Sequence, residues 1–182
     1  MRNTKFMNKI KKIFSFILLT GFAFSTNAQG SVTASVAVSA KIIATISIDG
    51  VQGMSFGDLT NDGGTVVLST DGNITDDGTR AVGGTITAGG FTVNGGINEA
   101  FRLKITATAL TNQTGSGAET MALSAIQVSQ EGAADKAMVV AGLALTLDSA
   151  DEDFTIGASL TIGTSQAAGA YTGTMSVVAA YE

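Results

Sequence analysis

Two short stretches hold most of the side chains that could do chemistry, and nearly all of these side chains are carboxylates. The first, TDGNITDDGTR at residues 70–80, resembles the oxygen-rich loops that bind calcium. It departs from the EF-hand pattern, because no glycine stands six positions into the loop and no glutamate closes it. We interpret the stretch as a solvated acidic turn. The weaker interpretation is a calcium site formed by Asp71, Asn73, Asp76 and Asp77.

The second stretch, DSADEDF, gathers Asp148, Asp151, Glu152 and Asp153. Paired carboxylates can hydrolyse glycosidic bonds, so a hydrolase that depends on Asp151 or Asp153 is one hypothesis. The sequence has no His, Cys or Trp, so the commonest general base and the usual zinc ligands are missing. We therefore predict a charged hairpin tip that discourages sheet aggregation. We expect no catalytic residue, no cofactor and no enzymatic activity.

The N-terminus has the layout of a secretory signal peptide. A cationic segment is followed by the apolar run IFSFILLTGFAF, with Thr26 and Ala28 at the −3 and −1 positions of a cleavage site. An apolar run of about a dozen residues is shorter than the ~20 that span a bilayer, so we predict no retained anchor. Residues 1–28 are thus a predicted signal peptide, and the chain is expected to be exported through the Sec pathway.

Charge limits the partners of the mature chain. After cleavage, five basic residues remain against all fifteen acidic ones, so the formal net charge is −10. Such a surface repels phosphate backbones, which makes nucleic acid a poor partner. The absence of Cys also excludes disulfides and lipidation at a cysteine.

The mature chain has the pattern of an all-β protein. Glycine-rich and Asp-rich turn signals recur at short intervals, and the segments between them alternate in polarity, as a sandwich or barrel requires. All six aromatic residues of the mature chain are Phe or Tyr, and we assign the phenylalanines to the core. Predicted strands cover residues 54–56, 65–68, 84–87, 91–93, 100–107, 121–128, 138–146, 154–162 and 171–181.

The longest alternation, at residues 31–48, is too long for an ordinary strand. Eighteen residues would span roughly 60 Å at about 3.3 Å per residue, more than the width of a domain of this size. The pattern blurs near residues 41–43, which predicts an arm at 29–41 and a domain at 42–182 whose first strand contains Ala44, Ile46 and Ile48. Two fates of the arm remain open: packing on its own domain, or adding a strand to the sheet of a neighbouring subunit.

The chain end carries the most specific resemblance. In GAYTGTMSVVAAYE, Tyr181 is the penultimate residue and Gly169 is the fourteenth from the end. Together with the signal peptide and the alternating N-terminal segment, this ending resembles pilin subunits of the chaperone–usher class. The SFGDL at residues 55–59 and the same ending are also similar to a bacterial family of unknown function numbered 4402.

The resemblance to pilins implies a fold, a function and partners. It implies an incomplete immunoglobulin-like antiparallel β-sandwich that polymerises into an adhesive surface fibre (pilus or fimbria) of a Gram-negative cell by donor-strand complementation. A periplasmic chaperone and an outer-membrane usher would handle the subunit in transit to the cell surface or medium. The alternative is a self-complemented sandwich that binds a surface ligand such as a glycan. The implied donor residues are Val32, Ala34, Val36, Val38 and Ala40, and the implied acceptor-groove and chaperone-binding residues are Gly169, Tyr171, Gly173, Met175, Val177, Ala179 and Tyr181.

Overall fold

A computed structural model describes residues 32–76, 78, 80–114 and 119–182. The predicted signal peptide lies outside the described residues. Within the described part, no helix is long and apolar enough to cross a membrane. Contacts divide the chain into two units, Met1–Ala40 and Lys41–Glu182.

The described part of Lys41–Glu182 is all-β, as predicted, and holds fourteen strands and no helix. In chain order, the strands are β1 (Ser47–Gln52), β2 (Ser55–Leu59), β3 (Asp62–Leu68), β4 (Ile74–Asp76), β5 (Ala81–Thr87), β6 (Gly89–Asn94), β7 (Ala100–Ala107), β8 (Leu110–Asn112), β9 (Thr120–Gln130), β10 (Lys136–Ala137), β11 (Leu143–Thr146), β12 (Asp151–Thr164), β13 (Tyr171–Thr172) and β14 (Met175–Tyr181).

The strands form three sheets in which every pair is antiparallel. The largest has nine strands, with the order β1-β6-β12-β9-β8-β13, and with β10 on β9 and the β3–β4 pair on β12. A three-stranded sheet has the order β11-β7-β14, and β2 pairs with β5 in a third. Strand β12 is the centre of the large sheet, since β6, β9 and β3 all pair with it.

Period-2 alternation places the apolar side chains of the strands in two buried clusters. The first joins β6, β9 and β12 of the large sheet to β7 and β11 of the small one. Phe154 stacks on Phe91 at 5.2 Å between ring centroids and meets Phe101 edge-on at 6.2 Å. The second cluster contains Phe56 with residues of β3, β9 and β12. All four phenylalanines of the described residues are buried, which confirms the core assignment.

Three strand predictions need correction. Residues 32–46 form no strand, so of the long alternation only the last two residues belong to β1. The predicted strand at 138–146 shortens to β11, because Gly142 turns the chain at φ +84° and donates its N–H to the Val139 carbonyl. The predicted strand at 171–181 is two strands, β13 and β14, separated by Gly173 and Thr174. Alternation indicates that a segment has one apolar face, but a strand also needs a neighbouring strand whose backbone groups form hydrogen bonds with it.

The arm region of the first unit is described from residue 32 onwards. Its apolar side chains are open to solvent, with Val32, Val36 and Val38 exposed by 93%, 83% and 91%. Alternation there gives an apolar face but no strand.

Candidate functional site

The last strand lies at the edge of its sheet. Within the described residues, β14 pairs only with β7, from Met175 opposite Ala107 to Tyr181 opposite Phe101. The N–H groups of Thr108 and Glu182 donate to the carbonyls of Thr174 and Ala100, at 2.9 and 3.2 Å. These two bonds fix the alternation of the antiparallel ladder, so that even-numbered residues of the segment bond to β7.

The odd-numbered residues of β14 therefore direct their backbone N–H and C=O groups to the free edge. Their side chains also pack against the first core cluster, whereas the side chains between them are exposed. Each of these residues thus offers hydrogen-bonding groups at the edge and an apolar side chain towards the interior. They are Met175, Val177, Ala179 and Tyr181.

An apolar cleft of about 340 Å³ opens beside the first half of this edge. One wall comes from the end of β1 and the residues after it, including Val51 and Met54, and the other from residues 171–175 and Val177. Gly89 and Gly90 of β6 lie in the lining together with core side chains such as Phe91. None of the lining residues of this cleft carries a charge. The cleft is thus suited to apolar side chains presented by an added strand.

Gly89 allows β6 to lie close to its partner strand β12 beside this cleft. Gly89 is buried, and a Cβ built there would lie 3.3 Å from the Cβ of Ile156 and 3.6 Å from that of Met54. A side chain at this position would therefore crowd Ile156.

The cleft lies where the C-terminal segment passes from one sheet to the other. Tyr171 and Thr172 pair with β8 of the large sheet, whereas β14 pairs with β7 of the small one. Gly173 makes the crossing possible, because a Cβ there would lie 3.1 Å from the Ala109 carbonyl oxygen. The backbone therefore passes close to the connection between β7 and β8.

A polar cluster fixes the Tyr171 wall. The ring lines the cleft, and the hydroxyl accepts hydrogen bonds from Gln166 Nε2 at 2.9 Å and Asn112 Nδ2 at 3.2 Å. The single hydrogen of the hydroxyl points to the Ala167 carbonyl at 2.8 Å, with a Glu119 carboxylate oxygen as a second acceptor within reach at 3.1 Å. These partners hold the aromatic wall in one position.

The seven implied acceptor residues lie in three different places. Tyr171, Gly173, Met175 and Val177 line the cleft. Ala179 and Tyr181 continue along β14 and pack on the core, but neither lines the cleft. Gly169 precedes β13 and lies against Asn112 and Thr114, where φ is +155° and a Cβ would meet Thr114 Oγ1 at 2.2 Å.

The two tyrosines mark opposite ends of this segment. The hydroxyl of Tyr181 accepts from the Gly96 N–H at 2.7 Å and donates to the Ala44 carbonyl at 2.9 Å. Lys41, three residues before Ala44, forms an ion pair with Glu99, three residues after Gly96. The chain thus enters the domain near Tyr181, whereas the cleft opens near Met175. Sequence reasoning missed the contact with Ala44, because no local pattern records it.

Backbone donors surround Asp76, the central residue of the calcium hypothesis. The Asp76 carboxylate accepts hydrogen bonds from the backbone N–H groups of Gly78, Arg80 and Ala81, at 2.9–3.0 Å. These bonds hold the pKa of the Asp76 carboxyl below its usual value, and the bond from the Ala81 N–H contributes most. Asp71 and Asn73 are exposed, and Asp77 lies outside the described residues. No group of three His, Cys, Asp or Glu residues in the described ranges is arranged to hold a metal.

The carboxylates of DSADEDF do not form one tip. Asp151, Glu152 and Asp153 begin β12, so their side chains alternate between its two faces. Glu152 is buried to 1% exposure and accepts from Gln130 Nε2 at 2.6 Å and the Asp148 N–H at 3.3 Å. Asp153 lies on the other face and accepts from Thr92 Oγ1 at 2.6 Å. The prediction of a charged hairpin tip is wrong, because the residues before β12 connect it to β11, which belongs to a different sheet.

Comparison with known proteins gives one match. A family model described as "Domain of unknown function (DUF4402)" matches residues 46–181. The match begins just before β1 and ends on the last residue of β14, so it spans all the described strands and leaves out residues 29–41. No curated protein matches the chain. The chain belongs to the DUF4402 family.

Proposed function

We propose that this protein is a structural subunit of a secreted surface fibre that is completed by a strand from another subunit. The observation that carries the proposal is the free edge of β14 beside an apolar cleft. An added strand would find backbone partners on Met175 and Val177 and an uncharged cavity for its side chains. The function is assembly and adhesion without turnover.

The proposed fold is an immunoglobulin-like sandwich that lacks one strand. Its support is the first core cluster, in which side chains of the large sheet contact those of the three-stranded sheet. An unpaired edge strand with alternating apolar residues is an aggregation hazard that proteins ordinarily cover. A strand donated next to β14 would cover this edge and bury the cleft.

The proposed donor is the arm, residues 29–41. Its even-numbered residues from Val32 to Ala40 are apolar, and the three valines are exposed. Burial of three valines and two alanines stabilises a joint by on the order of 6–10 kcal/mol before the loss of chain entropy. Backbone hydrogen bonds to the β14 edge would add to this.

Pairing between copies is the proposed mode. The chain enters the domain near Tyr181, while the cleft opens at the Met175 end of the same strand. Such a separation supports a heterologous, head-to-tail joint, which extends into a filament when its rotation does not close a ring. The proposed partners are identical or related subunits, with a periplasmic chaperone covering the edge and an usher exchanging it during export from a Gram-negative cell.

The proposal is tested by site-specific cross-linking, since the chain has no cysteine of its own. Mature protein carrying Val36→Cys is mixed with protein carrying Val51→Cys, at the rim of the cleft, under oxidising conditions. We expect disulfide-linked dimers and, by electron microscopy of the unmodified protein, fibres. The matched control is Val82→Cys, which is exposed on β5 and does not line the cleft. Monodisperse protein, with equal cross-linking at both sites, would reject the fibre and leave a self-complemented domain.

A further inference from the structure

The penultimate tyrosine has a contact that the cleft does not explain. Its ring packs on the first core cluster, and its hydroxyl bridges the Gly96 N–H and the Ala44 carbonyl, at 2.7 and 2.9 Å. Ala44 lies in the segment that connects the arm to β1. The last strand of the domain therefore holds the segment from which the arm leaves.

Gly95 makes room for this bridge, whereas a Cβ on Gly96 would meet the hydroxyl only at ordinary van der Waals distance. A Cβ on Gly95 would lie 2.6 Å from the Tyr181 hydroxyl oxygen, and one on Gly96 would lie 3.6 Å from it. The hydroxyl thus occupies space that any other residue at position 95 would fill. The contact is built from the sequence NGG at the end of β6 together with the chain end, two sites that are distant in sequence.

Few polar contacts hold residues 41–45. All five are exposed, although Ile43 keeps only 38% of its surface accessible, and no backbone–backbone hydrogen bond links them to the rest of the described chain. The Lys41–Glu99 ion pair is on the surface, with the Lys41 side chain 73% exposed, and such pairs contribute little. Besides the partial burial of Ile43, the bond from the half-buried Tyr181 is therefore the principal polar attachment of this segment ahead of Ile46, whose side chain packs on the core.

We propose that Tyr181 is a positioning residue that anchors residues 41–45, the root of the arm, and so fixes the point where the arm leaves the domain. The anchor itself is a property of the single chain. Its consequence rests on the proposed function: in a fibre, the root links consecutive subunits, and the anchor would limit the motion of one subunit against the next.

The test uses trypsin, because Lys41 lies in the root. The full mature chain is compared with Tyr181→Phe, which keeps the ring and removes only the hydroxyl. Loss of one hydrogen bond raises the population of the released segment, and with it the cleavage rate after Lys41, by about fivefold. The matched control is Tyr171→Phe. The Tyr171 hydroxyl bonds to Asn112 and Gln166, at the far end of residues 171–181 from Tyr181, so this variant should leave cleavage after Lys41 unchanged.

An internal reference distinguishes local release of residues 41–45 from a general loss of stability. Cleavage after Lys104, within β7, requires the sheet to open, so the rate at Lys41 is read relative to that at Lys104. An increased ratio in Tyr181→Phe alone supports the anchor. An unchanged ratio, or an equal increase in Tyr171→Phe, overturns it.

Binding of a synthetic peptide of residues 31–40 to the cleft is measured separately, on protein from which those residues are deleted so that its own arm cannot occupy the site. If the peptide does not bind, the proposed function fails while the trypsin ratio still decides the anchor.

Discussion

Replacement of Val36 by threonine should weaken strand donation without weakening the domain. Threonine has nearly the shape of valine, but it carries a hydroxyl into a cleft with no charged lining residue. Burial of a valine side chain is worth about 1.5–3 kcal/mol, and an unpartnered hydroxyl costs about 1–3 kcal/mol. A net loss of about 2 kcal/mol corresponds to a roughly 30-fold increase in Kd.

The assay titrates a labelled peptide of residues 31–40 with protein from which those residues are deleted, and follows fluorescence anisotropy. The matched control is Ser35→Ala, on the opposite face of the arm, which should change Kd by less than about twofold. In the mature chain, Val36→Thr should leave the free energy of unfolding within about 0.5 kcal/mol, because Val36 is 83% exposed and lies in no strand. The reasoning is refuted if Val36→Thr binds as tightly as the unmodified peptide, or if the control weakens binding equally.

Three further variants test the rest of the structure by denaturant unfolding. Phe154→Ala should lower the free energy of unfolding by about 3–5 kcal/mol, because it removes the ring contacts with Phe91 in the same sheet and with Phe101 in the three-stranded sheet. Phe154→Leu should cost clearly less, and equal effects would contradict this packing. Glu152→Gln should cost about 1–3 kcal/mol, since its amide cannot accept from both present donors, whereas the exposed Asp151→Asn should be neutral; matching losses would argue against the buried network. Asp76→Asn should destabilise the protein at neutral pH, and the difference in free energy of unfolding from the unmodified protein should vanish on acidification. The pKa of Asp76 is lower in the folded state than the unfolded value of 3.8, so its contribution to stability is present above pH 3.8 and is lost as the pH falls through the folded pKa. A difference that persists at low pH would exclude the amide bonds as the cause.

The proposed function links the free edge to the negative charge of the chain. As an exported subunit with a vacant apolar cleft, the protein would have to avoid non-specific sheet pairing until its partner arrives. The net charge of −10 expected after signal-peptide cleavage would repel other copies at a distance, while the uncharged cleft lining would leave the site itself open to arm residues 31–40, which carry no charged side chain. In the proposed assembly, charge repulsion would slow non-specific association, and strand addition would provide the specific association between subunits.

Local sequence determined the fold class and much of the core. Residues 100–107 alternate between apolar and polar side chains, and strand β7 has these same bounds. The sequence predicts such a strand because its period of two residues is a property of neighbouring residues. The four buried phenylalanines were predictable for a related reason: an aromatic ring without a polar group has no favourable place other than the interior. Turn residues marked most strand ends.

Tertiary structure alone decided which strands are neighbours, and with that the site. Alternation at residues 31–48 and 171–181 indicates an apolar face in both, yet residues 32–46 form no strand and residues 171–181 divide between two sheets at Gly173. Whether a strand lies at an edge depends on hydrogen-bond partners far away in the sequence, and no local period encodes them. The same holds for the Tyr181–Ala44 contact, which joins the two ends of the domain through space left by Gly95.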